Sequence, residues 1–177
     1  MALDDEIADL RERLRLLEDE REIARLVSRY GPLLDTDSRE KAARLWTENG
    51  TYANEAASWN GWAEIAEKMV GHPVNQASIR GGASHFLSVP YIVIDGDRAV
   101  ATNYGVVFRR AGEGFNIFRL VSSRWEFVRT DEGWRIQYRL NQLLAGSALG
   151  RQILAAAQDL DHFDPQASQE LATPAQS

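Results

Sequence analysis

The second half of the chain carries three long strand patterns joined by short turns, and this arrangement constrains the fold more than any other feature. Residues 98–110, 115–130 and 134–144 are rich in apolar, aromatic and β-branched side chains, and glycine-containing turns separate them. A further strand pattern, 85–94, precedes them across the turn Asp95-Gly96-Asp97. Strands joined by turns this short pair as antiparallel neighbours. The sequence therefore predicts an antiparallel meander.

The beginning of the chain predicts a long helix instead. Apolar side chains recur there at alternating steps of four and three residues, at Leu3, Ile7, Leu10, Leu14 and Leu17. This is the period of one helix face, so we expect a helix over residues 3–34. Gly31-Pro32 should kink or interrupt it, because proline lacks a backbone N–H. The leucine stripe has to be buried, either on this chain or on a neighbouring copy.

The other elements are shorter, and together they indicate the fold class. Residues 71–84 are rich in Gly, Pro, Asn and Ser and predict a loop, a candidate cover for a ligand pocket. Helices followed by a meander indicate an α+β fold. We expect one domain over residues 1–160 and a disordered tail over 161–177. The remaining predicted elements are helices over 39–46, 61–70 and 148–160, and a strand from Thr51 after a turn at 48–50.

The composition excludes several classes of function. The formal net charge is −6 and basic residues alternate with acidic ones, whereas a nucleic-acid site needs clustered positive charge. The absence of cysteine excludes disulfides, thiolate metal sites and cysteine nucleophiles. No apolar run is long enough to cross a bilayer, and the acidic first residues differ from the basic start of a signal peptide. We therefore expect a cytoplasmic protein that binds neither nucleic acid nor membrane.

Motifs for nucleotides, a catalytic serine elbow or a helical zinc site are missing from the sequence. The segment Asp161-His162-Phe163-Asp164 suggests metal binding at first sight, but its place near the end of the chain favours a solvated surface. We therefore predict no metal and no cofactor.

Four residues are candidates for catalysis, and each has a structural alternative. His85 opens a strand after a glycine-rich segment, but a core histidine bonded to a backbone carbonyl fits the same position. Asp35 ends the first helix, where a cap residue is also common, and Tyr30 fits either a pocket or an ordinary core. Apolar and polar residues alternate along the last strand, so Arg139 is predicted on the face opposite the apolar one that holds Trp134. The face with Arg139 therefore either lines a polar cavity or meets solvent.

The order of these residues resembles a known family. Five features occur in order: Tyr30 with Asp35, a short helix ending near Trp46, an aromatic at Tyr52, a histidine opening a hairpin strand, and the run 131–136 (Asp-Glu-Gly-Trp-Arg-Ile). Together they look like the SnoaL-like (nuclear transport factor 2-like) superfamily. Within it, the pattern is most similar to the dehydratase branch of scytalone dehydratase, bile-acid 7α-dehydratase and the hexachlorocyclohexane dehydrochlorinase LinA. The resemblance covers about residues 20–145.

The resemblance implies a fold and a site. The fold is a cone-shaped barrel, in which a curved mixed, largely antiparallel sheet is wrapped by N-terminal helices. The catalytic pair falls on Asp35 and His85, with Tyr30 and Arg139 as further catalytic residues, and Tyr52 falls where members contact substrate. A homo-oligomer is also implied, with a trimer as the usual state and a dimer as the alternative.

Four more residues are candidates for substrate binding. Asn103 and Asn141 fall at lining positions that vary among members of the family. Trp62 and Phe86 are aromatic residues that suit an apolar cavity, although a plain core role fits such residues better.

Three functions are compatible with this site. The one we favour is a cofactor-independent lyase, in which His85, held by Asp35, takes a proton next to a carbonyl and water leaves a hydrophobic polycyclic or polyketide-like molecule. Histidine suits this step because it titrates near neutral pH. A polyketide cyclase or isomerase would use the same pocket. A non-catalytic module would only bind a small ligand or assemble, since fold does not determine function.

Overall fold

The computed structural model describes residues 3–145 and 148–163 of the chain. The helices are α1 (Leu3–Asp35), α2 (Arg39–Ala43), α3 (Gly61–Ala63), which continues as the π-helix Glu64–Val70, α4 (Pro73–Arg80) and α5 (Ala148–Ala155). The strands are β1 (Trp46–Ala53), β2 (Ser58–Asn60), β3 (Ser84–Leu87), β4 (Tyr91–Asp95), β5 (Arg98–Ala111), β6 (Gly114–Thr130) and β7 (Gly133–Leu143).

These strands form one curved mixed sheet in the order β2-β1-β7-β6-β5-β3, and β4 pairs with the other end of β5. All the pairs are antiparallel except β1 with β7, which is parallel. The strands β5, β6 and β7 are the predicted meander. The α+β fold and the antiparallel meander are therefore confirmed.

The second half of α1 packs on this sheet through its apolar face. Ile23 and Val27 are fully buried and Tyr30 is 2% exposed. The Tyr30 ring meets the Trp125 ring of β6 edge to face, with 5.6 Å between ring centres. Burial of each such side chain contributes about 1.5–3 kcal/mol to folding. This packing fixes the end of α1 above the sheet, where Asp35 lies.

A buried carboxylate joins the middle of α1 to the far end of the meander. Asp19 is 4% exposed. It accepts two hydrogen bonds from the Arg129 guanidinium, at 2.8 and 2.5 Å, and one from the Trp134 indole N–H at 3.0 Å. Charge-assisted, bidentate hydrogen bonds of this kind are the strongest in proteins. Asp19 therefore fixes α1 against β6 and β7.

Of the kink or interruption expected at Gly31-Pro32, the interruption was wrong, because α1 runs through Pro32 to Asp35. Proline removes the hydrogen bond to the carbonyl of Ser28, four residues earlier. Both Ser28 and Pro32 are exposed, so water can satisfy that carbonyl. The helix continues because its interrupted side faces solvent.

The predicted face alternation in β7 was wrong as well. Ile136 pairs with Phe127 and Tyr138 pairs with Glu126, which leaves Gln137 unpaired as a β-bulge. A bulge inserts one residue and reverses which face the following side chains occupy. Arg139 therefore lies on the same side of the sheet as Ile136, and it is buried rather than solvated.

Three shorter predictions also need correction. Residues 71–84 contain the helix α4, which Pro73 starts in the first-turn position that proline favours. The strand predicted over 85–94 is divided into β3 and β4, because Pro90 cannot join a ladder of hydrogen bonds. The turn predicted at 48–50 lies within β1, where the pairing with β7 shifts register.

Within the described ranges, no helix is long and apolar enough to cross a membrane. Residues 164–177 of the predicted tail lie outside the described residues. His162 precedes them, and its ring Nδ1 lies 2.8 Å from the Glu126 Oε2 atom.

Candidate active site

A cavity of about 330 Å³ opens between the helices and the concave side of the sheet. Its walls come from the end of α1, the π-helix, α4, and strands β1, β3, β5, β6 and β7. Five of the residues singled out in the sequence line it: Tyr30, Tyr52, His85, Arg139 and Asn141. The lining is mainly apolar, as is usual for small-molecule sites.

Asp35 and His85 form a close pair at the edge of this cavity. The Asp35 Oδ1 atom lies 2.6 Å from His85 Nδ1. The other carboxylate oxygen, Oδ2, accepts a hydrogen bond of 2.9 Å from the backbone N–H of His85. One carboxylate thus holds both the ring and the backbone of His85. In the neutral ring, a carboxylate beside Nδ1 favours the tautomer with the proton on that nitrogen, and Nε2 is then the nitrogen without a proton.

The local chain path explains why the pair is so close. Asp35 is the last residue of α1, and His85 begins β3 immediately after α4. Gly31, one turn before Asp35, packs against β3 so closely that an added Cβ would lie 2.8 Å from the His85 carbonyl oxygen. Glycine at this position is therefore what allows α1 to approach β3 closely.

Arg139 is a buried cation, and no carboxylate among the described residues pairs with it. It is 2% exposed, and its guanidinium carbon lies 4.0 Å from the Tyr30 ring centre and 3.9 Å from that of Trp125. Its Nη2 makes a long hydrogen bond of 3.5 Å to the Ser123 hydroxyl, while Nε and Nη1 have no partner among the described residues. Stacking on aromatic faces offsets part of the cost of burying the charge. The unused N–H donors remain the main unsatisfied polar groups of the site.

Two tyrosines add hydroxyl donors beside Arg139. Tyr52 Oη accepts a hydrogen bond from Asn141 Nδ2 at 3.1 Å, so its own proton remains available. The Tyr30 hydroxyl has only a weak acceptor, the Met69 sulfur at 3.7 Å. Burial raises the pKa of Tyr30 above its ordinary value, so its hydroxyl stays protonated at neutral pH.

Three predicted lining residues lie outside the cavity. Asn103 accepts a hydrogen bond from the Trp125 indole N–H at 2.8 Å and is part of the core. Trp62 donates its indole N–H to the Trp46 carbonyl at 3.0 Å. Phe86 is 58% exposed, because alternation along β3 directs it away from the side that holds His85.

Sequence reasoning missed part of the cavity wall. The π-helix supplies Lys68, Met69 and Val70, and α4 supplies Asn75 and Ile79. The extra residue in each π-turn is not encoded by a simple apolar period, and α4 lies in a segment that reads as a loop. His72 also lines the cavity, but its ring accepts the Val74 N–H and caps α4.

A group of three or more His, Asp or Glu side chains placed to hold a metal is not found among the residues described.

Residues 15–140 of the chain match the family model of the SnoaL-like domain. A comparison with curated proteins gave no match.

Several solved structures share the fold. An NTF2-like protein with a cystatin-like fold from Novosphingobium aromaticivorans is 41% identical, covers 86% of this chain and 99% of its own, and has a TM-score of 0.83. An NTF2-like superfamily protein from Salmonella enterica is 17% identical over 76% of this chain and 97% of its own, with a TM-score of 0.62. A candidate dehydratase of the NTF2-like family from Streptomyces avermitilis is 13% identical over 73% of this chain and 98% of its own, with a TM-score of 0.61.

The last two likenesses are low in identity and show the fold alone. The family model and the Novosphingobium structure extend over most of the chain. This chain belongs to the SnoaL-like family of the NTF2-like superfamily.

Proposed function

We propose that this protein is a cofactor-independent lyase that eliminates water from a hydrophobic β-hydroxy carbonyl compound. The observation that carries the proposal is the Asp35–His85 pair at the edge of a mainly apolar cavity. The proposal also places the chain in the dehydratase branch of its family. The candidate dehydratase from Streptomyces avermitilis, which has the same fold, is in keeping with this assignment.

The first step is removal of a proton from carbon. Asp35 Oδ1 lies beside His85 Nδ1 and favours the neutral tautomer with the proton on Nδ1. In that tautomer, His85 Nε2 takes a proton from the carbon next to the substrate carbonyl. The electron pair of that C–H bond moves into the carbonyl and forms an enolate. Asp35 stabilises the imidazolium that results, without accepting its proton.

The second step is departure of water. The enolate electrons return to form a carbon–carbon double bond, and the bond from the β-carbon to its hydroxyl breaks. His85 returns its proton from Nε2 to the departing oxygen, so that water leaves and the base is regenerated. Substrate therefore gives one unsaturated carbonyl product and one water, and no external oxidant or reductant is consumed.

The negative charge on the enolate needs donors, and the cavity supplies them. Within the part of the chain that the structure describes, Arg139 has two N–H-bearing nitrogens without a partner, and the hydroxyls of Tyr30 and Tyr52 retain a proton to donate. Donors already in place in a site with little water contribute on the order of 3 kcal/mol each to the transition state. A buried cation without a counter-ion is costly for folding, and a function in charge stabilisation accounts for it.

Cavity size and lining indicate the substrate. A volume of about 330 Å³ is at the small end of ligand pockets, which span roughly 300–1,000 Å³. Apolar side chains from β5, β6 and the π-helix form much of the wall. We therefore expect a compact hydrophobic polycyclic or polyketide-like molecule.

Product analysis tests the proposal. Wild-type protein is incubated with a panel of cyclic β-hydroxy ketones, and the products are analysed by mass spectrometry. Elimination lowers the mass by one water. A product of unchanged mass would instead identify an isomerase or a cyclase in the same pocket. Binding without any product would identify a ligand-binding module.

Replacing Arg139 with methionine should separate activity from stability. Removal of an unpaired buried charge is expected to leave the free energy of unfolding unchanged or to raise it by up to about 4 kcal/mol. The same change should lower kcat/KM at least about 100-fold, since the enolate loses its strongest donor. Urea unfolding and steady-state kinetics measure the two effects.

The matched control for this variant is Arg135→Met, on the same strand. Arg135 pairs with Glu132 near the surface and does not line the cavity, so activity should be unchanged. An Arg139→Met protein with full activity would remove Arg139 from the mechanism.

A further inference from the structure

The first turns of α1 extend beyond the body of the domain. Residues 3–18 are exposed except for Arg15, and burial in α1 begins at Asp19. This segment of 16 residues is about 24 Å long at 1.5 Å per residue. It carries the leucine stripe, whose exposed fractions are Leu3 71%, Ile7 38%, Leu10 53%, Leu14 55% and Leu17 64%.

We propose that residues 3–18 of α1 bind the same segment of a second copy of this chain as a parallel, in-register, two-stranded coiled coil. Steps of four and three residues place the stripe at the two seam positions of a heptad repeat, a and d. Ile7 and Leu14 are at a, and leucine is at every d position from residue 3 to 17. Isoleucine at d, which would favour three or four strands, does not occur in this stripe.

The charges beside the seam favour the parallel arrangement. In a parallel pair, each g position faces the e position of the next heptad on the other helix. Every such pair in this segment and the turn after it joins opposite charges. The pairs are Glu6 with Arg11, Arg13 with Glu18, and Glu20 with Arg25.

The antiparallel arrangement pairs fewer residues of the stripe. There, a positions face d, g positions face g and e positions face e. The register that pairs Ile7 with Leu17 leaves out Leu3 and puts Arg11 opposite Arg11 and Arg13 opposite Arg13. The register that pairs Ile7 with Leu10 puts Glu6 opposite Arg13 but leaves out Leu17. The parallel arrangement pairs all five stripe residues as well as opposite charges, so it is favoured.

The domain leaves the seam free for a second helix. The residues that attach α1 to its own domain, Ile23, Leu26, Val27 and Tyr30, occupy heptad positions c, f and g. At 100° per residue, c and f lie on the side of the helix away from a and d, and Val27, at g, lies ten residues beyond Leu17, where the stripe ends. A second helix can therefore run along the stripe without meeting the domain to which α1 belongs.

Disulfide trapping in the full chain tests this pairing directly, because the natural chain contains no cysteine. The test variant is Leu10→Cys, at a d position in the centre of the seam. The control is Leu16→Cys, at position c, which is 39% exposed but off the seam. Since a disulfide needs Cα atoms within about 7 Å, mild oxidation should give roughly tenfold more covalent dimer with Leu10→Cys. Equal trapping of the two variants, or none with Leu10→Cys, would overturn the proposal.

A charge-swap pair tests the orientation. Glu6→Lys/Arg13→Glu reverses the g positions, and Arg11→Glu/Glu18→Lys reverses the e positions. Each is combined with Leu10→Cys. In a parallel coil, each variant alone should trap poorly, and a mixture of the two should restore trapping to the level of Leu10→Cys. A mixture that traps no better than its components would contradict the parallel arrangement. Exposed sites are chosen so that the fold of the domain is preserved, which circular dichroism checks.

Discussion

Replacing His85 with alanine is expected to lower kcat for elimination by about 10²–10⁴-fold, the usual contribution of a positioned general base. KM should change little, because the ring contributes a small part of the cavity wall. The reason is geometric: His85 lines the cavity, and its Nδ1 lies 2.6 Å from Asp35 Oδ1. Steady-state kinetics on a substrate found by product analysis measure the effect.

The chain offers a matched control for this variant. His162 also forms a close pair with a carboxylate, Glu126, at 2.8 Å, but it lies outside the cavity. His162→Ala removes the same side chain from the same kind of pair and should leave kcat unchanged. Equal losses in the two variants would point to a structural effect, and full activity in His85→Ala would exclude His85 as the base.

Replacing Asp19 with alanine is expected to lower the free energy of unfolding by about 3–5 kcal/mol, the usual cost of removing one partner of a buried ion pair. The Arg129 guanidinium would lose two hydrogen bonds and the Trp134 indole N–H would lose its acceptor. Urea denaturation measures the change. Asp97→Ala is the control, because Asp97 also binds Arg129 but its side chain is 80% exposed. That variant should lose no more than about 1 kcal/mol, and equal losses would contradict the anchoring function of Asp19.

The same carboxylate predicts how stability depends on pH. The hydrogen bonds from Arg129, aided by that from Trp134, lower the pKa of Asp19 below its ordinary value. A lowered pKa in the folded state means that the stability it contributes is complete above the unfolded value, about 3.9, and is lost as pH falls through the folded value. The difference in stability between wild type and Asp19→Ala should therefore shrink below about pH 4. A constant difference across that range would show that Asp19 is not the titrating group.

Much of the fold was predictable, because its main signals are local. The meander follows from turns that contain glycine, and the long helix follows from an apolar period. The incorrect predictions concern features that depend on contacts between distant parts of the chain. Pro32 is tolerated only because its side of α1 faces solvent. Gln137 forms a bulge where β7 pairs with β1 on one side and with β6 on the other, and both pairings shift register there.

The candidate site was predictable only in part. The family resemblance indicated Asp35 and His85, and the structure places them in contact; their catalytic function stays a prediction. The burial of Arg139 was not predictable from alternation, since the bulge reverses its face. Asn103 and Phe86 were misplaced because the sequence does not reveal that one binds an indole N–H and the other faces outward.

Nitrogen-15 NMR of the imidazole rings tests most directly whether Asp35 keeps the His85 ring in the tautomer that can act as a base. The protein is labelled at histidine, and the His85 signals are assigned by comparison with His85→Ala, at a pH above the range in which histidines titrate. The account predicts that Nδ1 carries the proton and Nε2 does not, and that Asp35→Asn shifts the proton towards Nε2. A proton on Nε2 in the wild type, or a ring whose signals do not respond to Asp35→Asn, would contradict the account.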